Sequence, residues 1–177
     1  MKNFSVCVFC GSRSGDNPDY LVQAETLGNL IAKHNWRLVY GAGNKGMMGS
    51  VANATQLGKA KTFGVIPQHL VQREVGKTDL DNYIVTDNMH ERKKLMFTNS
   101  DAIILLPGGP GSLDEFFEVL TWAQLEVHKK PIVVINVKKY WDPLFSLIDH
   151  TISSGFAESS LKKLFKTIAK SLNFEVI

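Results

Sequence analysis

The stretch AIILLPGGPGSLDEFFEVLTWAQ, residues 102–124, passes from an apolar run through three glycines and two prolines into an apparent helix. Its order is strand, loop, helix. A turn that only redirects the chain rarely needs three glycines, so this backbone is expected to approach something closely. Working outward, the same order recurs. Apolar runs predict strands at Ser5–Cys10, Arg37–Tyr40, Thr62–Ile66, Tyr83–Thr86, Ala102–Leu106 and Pro131–Val137. Helical patterns lie at Asp19–Asn35, Gly46–Gly58, Met89–Asn99, Ser112–Lys129 and Asp142–Ser154, with a last amphipathic one at Ser159–Leu172. The least patterned stretch, Gln68–Asp81, predicts a short helix or loop. This alternation predicts an α/β fold, a Rossmann-like doubly wound parallel sheet flanked by helices. No linker, repeat or low-complexity segment interrupts it, so residues 1–177 are expected to form one domain.

Composition narrows the function. With 44% apolar and 21% charged residues, the chain can bury a substantial core. A net charge of +3 permits anionic ligands, yet the lysines are scattered, and no nucleic-acid partner is expected. No apolar run approaches the roughly 18 residues of a membrane span, and the first residues do not resemble a secretory signal. A soluble cytoplasmic protein without a membrane partner is expected. Cys7 and Cys10 have CxxC spacing, but residues three apart on a strand face opposite ways, so the two sulfurs should diverge. The five histidines show no metal-ligand spacing, and no metal site is expected.

In open α/β sheets ligands sit beyond the carboxyl ends of the strands. Four loops expected there carry chemistry: Cys10–Gly15 (CGSRSG), Tyr40–Gly49 (YGAGNKGMMG), Thr86–Lys94 (TDNMHERKK) and Pro107–Glu115 (PGGPGSLDE). The second contains a formal GxGxxG at Gly41, Gly43 and Gly46. It follows the second strand instead of the first, and the acidic ribose ligand of a dinucleotide site is missing from the next strand. A nicotinamide dinucleotide is therefore not favoured, and the absence of a GxxxxGK[ST] loop gives ATP-driven phosphoryl transfer little support.

In the third loop Arg92, Lys93 and Lys94 fall in the first turns of a helix, where the macrodipole favours anions. Charge in the wrong place often marks function. Arg92 is the stronger candidate ligand because its fork can grip a phosphate or a base edge, whereas Lys94 reads as a solvated face. In the fourth loop Gly108, Gly109 and Gly111 let successive N–H groups converge on one anion, and Ser112 can add a hydroxyl. Ser112 through Glu115 also matches an S-x-x-E capping box, in which Glu115 would only satisfy a backbone donor. The box would explain the serine and the glutamate but not the glycines. Leu113, Phe116, Phe117 and Leu120 read as the core face of that helix.

PGGPGSLDE is similar to the PGGxGTxxE signature of the Lonely Guy family of nucleoside 5′-monophosphate phosphoribohydrolases, whose relatives were often labelled lysine decarboxylases. VFCGSRSG, YGAGNKGMMG, DNMHERKKLM and FEVLTWAQLEVHKKP also resemble family segments, so the likeness runs from Val8 to about Gly155. It implies a Rossmann-like fold, usually dimeric, that splits a nucleoside monophosphate, AMP or a cytokinin riboside 5′-monophosphate, into base and ribose 5-phosphate. It implies Arg92 and Glu115 as the catalytic pair. As substrate-binding positions it implies Glu74, Lys93, Gly108, Gly109, Pro110, Gly111, Ser112 and Thr121. The remaining candidates are Gly11, Ser12, Gly41, Gly43 and Gly46 in the glycine loops, and Asp114 beside the cradle. Three residues depart from the pattern: Ser112 replaces threonine, Pro110 an aromatic or bulkier residue, and Ala42 a glycine.

Departure of the base leaves an oxocarbenium-like centre, which a carboxylate such as Glu115 can stabilise while orienting or deprotonating water. No metal or organic cofactor is called for. A non-catalytic nucleotide-binding or carrier module on the same fold is the alternative, since fold does not fix function. Phe116, Phe117, Trp122 and Trp141 are more large aromatics than two helices obviously need, so a homodimer interface and core burial are both open for them.

Overall fold

The computed structural model describes residues 4–72 and 75–171. Seven strands make one parallel sheet: β1 (Ser5–Phe9), β2 (Arg37–Tyr40), β3 (Thr62–Pro67), β4 (Asn82–Thr86), β5 (Ala102–Leu105), β6 (Ile132–Ile135) and β7 (Lys166–Ile168). Their spatial order is β4-β3-β2-β1-β5-β6-β7. The expected doubly wound sheet is present. Each helix lies within two residues of its expected start and within five of its expected end: α1 (Pro18–Lys33), α2 (Gly46–Leu57), α3 (Met89–Thr98), α4 (Pro110–Gln124) and α5 (Asp142–Ser153). No helix among the described residues is long and apolar enough to cross a membrane.

The two faces follow from the period-2 geometry of a strand. Val6, Val8, Leu38, Tyr40, Ile104 and Val133 point to one side, where Leu27 and Ile31 of α1 and Val51 of α2 cover them. Cys7, Phe9, Val39, Val65, Ile103 and Val134 point to the other, against Met96 of α3, Phe116, Val119 and Leu120 of α4, and Ile148 of α5. Cys7 and Cys10 do diverge, into opposite layers, and no disulfide joins them. Burial, with the nearby Glu115 charge second, pushes the Cys7 thiol well up, so it stays protonated and inert. Complete burial of a leucine or phenylalanine stabilises by about 2 kcal/mol, which makes these two layers the main support of the fold.

Helix starts follow local chemistry. Asn17 caps α1 by accepting from the Asp19 N–H at 2.9 Å, and Pro18 supplies a φ already suited to the first turn. The helix expected at 159–172 is not formed. A 3₁₀ turn at Ser159–Lys163 leads instead into β7, which pairs with β6 from Val133↔Lys166 to Ile135↔Ile168. The spacing of Leu161, Leu164 and Ile168 imitates a helix, but the open edge of β6 offers the backbone a full set of partners, and tertiary pairing overrides the local pattern. Leu172 lies outside the described residues.

Because β1 pairs with β2 on one side and β5 on the other, the winding reverses between β1 and β5. A crevice opens there, beyond the carboxyl ends of the two strands.

Candidate active site

All four chemically marked loops contribute to one cleft of about 630 Å³ at this crevice. Its polar wall is Gly11–Asp16 from the β1–α1 loop and Pro107–Ser112 from the β5–α4 loop, with Arg92, Glu115 and Gly41 between them. Its apolar wall is Met47 and Met48 of α2 and Met89 and Met96 of α3, with Tyr20 and Tyr140 also lining the cleft.

The fourth loop is shaped by three fixed carbonyls. Pro107 C=O accepts from the Gly11 N–H at 3.0 Å, Gly108 C=O accepts from the Tyr140 hydroxyl at 2.6 Å, and Gly109 C=O accepts from the Leu113 N–H at 3.2 Å. Gly109 is the N-cap of α4 and Pro110 its first residue, two positions earlier than expected. That shift removes the capping box. Ser112 sits in the first turn and Glu115 further along the helix, so the serine cannot make the cap contact, and no side chain caps α4. The N–H groups of Gly111 and Ser112 belong to the first turn, which has no carbonyl upstream in the helix, and they carry the positive end of the helix dipole. A Cβ at Gly109 or Gly111 would meet nothing within 4 Å, so both border open space. Gly108 differs: a Cβ there would strike Ser112 Oγ and lie 2.9 Å from the Gly11 nitrogen.

The side-chain cap is found on α3 instead. Asn88 Oδ1 accepts from the Glu91 N–H at 3.0 Å, and Glu91 accepts from the Asp87 N–H at 3.1 Å. This explains how a first turn can tolerate Arg92. The guanidinium reaches back to the carbonyl ends of the sheet, where Nε donates to Val65 O at 3.1 Å and Nη2 donates to Gly41 O at 2.8 Å. Arg92 is 5% exposed and Glu115 8%, and both line the cleft. A buried arginine and a buried carboxylate thus share one cleft with the backbone at the start of α4.

Gly41, Gly43 and Gly46 act through packing. A Cβ at Gly41 would collide with Arg92 Nη2, and one at Gly43 would lie 2.6 Å from Met48 Cε. Gly46 has φ +58°, with Ser12 O and Arg13 C each 2.5 Å from where a Cβ would stand. Of the three, only Gly41 lines the cleft. Ala42 holds φ +57° as well, a conformation that glycine adopts without strain.

Gly11, Ser12, Gly108, Gly109, Pro110, Gly111 and Ser112 lie on the cleft wall. Lys93, Asp114 and Thr121 do not. Lys93 Nζ bridges Asp114 at 3.0 Å and Glu118 at 3.3 Å, tying α3 to α4. Burial alone would lower the Lys93 pKa, but the hydrogen bonds to the two carboxylates more than offset it and leave the pKa raised. Thr121 is exposed further along α4, and Glu74 lies outside the described residues. Phe116 and Trp141 belong to the core, 0% and 3% exposed, whereas Phe117 and Trp122 are only partly buried. Sequence reading missed Tyr140 and the four methionines. Tyr140 follows the end of β6 and so falls under the same rim rule; Met47, Met48 and Met89 follow rim loops at helix starts, whereas Met96 lies near the far end of α3.

The family described as "Possible lysine decarboxylase" matches residues 48–173. Among curated relatives, a cytokinin riboside 5′-monophosphate phosphoribohydrolase of Arabidopsis thaliana is 41% identical over 90% of this chain and 73% of its own length. Another from the same plant is 42% identical over 90% and 74%. A probable enzyme of that name from Oryza sativa subsp. japonica is 40% identical over 91% and 70%. Among solved structures, the molybdenum cofactor binding protein of Rippkaea orientalis has a TM-score of 0.73 at 23% identity, covering 98% of this chain and 93% of that one. The molybdenum cofactor carrier protein of Chlamydomonas reinhardtii has 0.72 at 22%, covering 97% and 92%. These two share the fold.

Proposed function

Since the chain belongs to the cytokinin riboside 5′-monophosphate phosphoribohydrolase family, we propose that it hydrolyses the N-glycosidic bond of a nucleoside 5′-monophosphate. The observation that carries this reading is Glu115, a buried carboxylate in the cleft wall just past the glycine-rich start of α4. Water adds across the bond: C1′–N breaks, C1′–O forms, the base leaves with a proton, and ribose 5-phosphate remains. Glu115 stabilises the developing ribosyl cation and takes the proton of the attacking water. Arg92, held by the Val65 and Gly41 carbonyls, offsets charge on the departing base or grips the substrate. The cradle from Gly108 to Ser112 holds the 5′-phosphate, so that binding energy at a non-reacting group positions the reacting one. The methionine wall offers soft apolar surface to a flat base.

Decarboxylation of an amino acid finds less support. It ordinarily uses a carbonyl cofactor that a lysine holds as an imine until the substrate's amine takes its place, and among the described residues no lysine lines the cleft. The active form is proposed to be a homodimer in the cytoplasm. Phe117 and Trp122, half-buried on α4, and Leu125 and Val127, 67% and 66% exposed just beyond it, support an apolar interface. Light scattering at micromolar concentration should give twice the chain mass.

The deciding experiment is incubation with AMP and with isopentenyladenosine 5′-monophosphate, followed by chromatography. The hydrolase releases free base and ribose 5-phosphate, whereas a carrier returns intact nucleotide. Adenosine should be a poor substrate; equal kcat/KM for adenosine and AMP would overturn the role of the cradle.

A further inference from the structure

The β6–α5 connection, which no motif marks, touches the cradle at one point. Tyr140 lines the cleft and donates its hydroxyl to the Gly108 carbonyl at 2.6 Å. The connection is itself firmly held. Lys138 and Lys139 adopt φ of +49° and +62°, Asn136 Oδ1 accepts from the Trp141 N–H at 2.7 Å, and Lys138 pairs with Asp19 at 2.9 Å. The Tyr140 ring meets Tyr20 edge-on at 5.5 Å and Trp141 at 4.7 Å. A tyrosine fixed on two sides thus presents its hydroxyl to a glycine peptide that has no side chain of its own to hold it.

We propose that Tyr140 is a positioning residue which locks the Gly108–Gly109 peptide so that its N–H faces the substrate phosphate. In a trans peptide the C=O and the following N–H point in opposite directions. Drawing the Gly108 carbonyl toward Tyr140 therefore turns the Gly109 N–H away from it, at a residue whose missing Cβ borders open space. The neighbouring carbonyls are fixed by Gly11 and Leu113, which leaves this one as the peptide that could rotate were the hydroxyl absent. Burial first, with Tyr20 and Asp16 nearby, raises the Tyr140 pKa, so the phenol remains a donor through the neutral range. This inference rests on the phosphate reading of the cradle.

Y140F removes the hydroxyl and keeps the ring. The loss of one hydrogen bond that orders a binding group is expected to raise KM for the nucleoside monophosphate roughly three- to tenfold, with kcat nearly unchanged. The inhibition constant of ribose 5-phosphate should rise by the same factor, while that of the free base stays put. A merely structural tyrosine would lower the thermal midpoint and leave the KM-to-kcat split unmoved. Unchanged KM and ribose 5-phosphate inhibition in folded Y140F would overturn the lock while leaving the hydrolase reading intact. A wild-type protein that neither hydrolyses the nucleotide nor binds ribose 5-phosphate would overturn both.

Discussion

Two glycine-rich loops leave the strands on either side of β1, and they use glycine for opposite ends. In the β2–α2 loop, Gly41, Gly43 and Gly46 are filled in by the protein's own atoms: the Arg92 guanidinium, the Met48 thioether and the Ser12–Arg13 backbone. In the β5–α4 loop, Gly109 and Gly111 border space that the protein leaves open beside Glu115. The first loop lets elements approach; the second leaves the room that the proposed reading gives to a ligand. A GxGxxG spacing by itself does not tell these uses apart, because both need a missing Cβ and only the neighbours differ.

The sharpest way to break the contrast is Glu115→Gln. In a capping role the change would be mild, since glutamine serves as well. In the ligand-facing role assigned to it, kcat should fall roughly 10²-fold or more while nucleotide binding and folding persist, because the charge facing the ribosyl cation and the base for water are lost. Single-turnover kinetics together with equilibrium binding check this, and near-normal kcat would return Glu115 to structure.

Gly46→Ala tests the packed loop. The left-handed φ costs a Cβ-bearing residue about 1–2 kcal/mol, and the contact with the Ser12–Arg13 backbone adds to it. A total loss of about 3 kcal/mol should lower the thermal midpoint by roughly 6–12 °C. A variant as stable as the parent would show that this loop is not packed as described.

Gly111→Ala tests the open loop and should behave inversely. Alanine is the better helix former and meets nothing within 4 Å, so stability should hold or rise. KM for the nucleotide should nonetheless climb about tenfold as the new methyl occupies the phosphate's place. Unchanged KM would place the phosphate elsewhere.

The fold was legible because β1, β2, β3, β5 and β6 are buried on both sides and read as apolar runs. What misled was local pattern without its tertiary partner. Leu161, Leu164 and Ile168 are spaced as a helix until the edge of β6 is there to pair with them. Ser112 and Glu115 are spaced as a capping box until Pro110 is seen to begin the helix earlier. Tyr140 carried no signal beyond its place after β6, because its hydroxyl's partner is a carbonyl 32 residues away in the chain.

The smallest effect is expected at the other end of the sheet, away from both loops. Asp81 accepts from Lys61 Nζ at 2.6 Å and from the Thr62 N–H at 2.9 Å. Burial alone would raise its pKa, but these bonds and the Thr62 hydroxyl hold it lowered. A carboxyl depressed in the folded state adds stability above its unfolded pKa of about 4, and that stability is lost as pH falls through the folded value. Asp81→Asn should therefore flatten part of the acid limb of a stability–pH curve and leave KM alone. An unchanged acid limb would remove Asp81 from the account.

The strand order also sets a sequence of events during synthesis. Chains emerge N-terminus first, so β1 to β4 with α1 to α3 can assemble while residues beyond Thr98 are still being made. Throughout that interval β1, the central strand of the finished sheet, is an edge, with the backbone of Val6 to Phe9 unpaired on the side that β5 will take. An apolar edge of that kind invites pairing with another nascent chain. Arg92 is made before that edge closes, and Glu115 follows β5 directly, so the strand that ends the exposure also delivers the carboxylate.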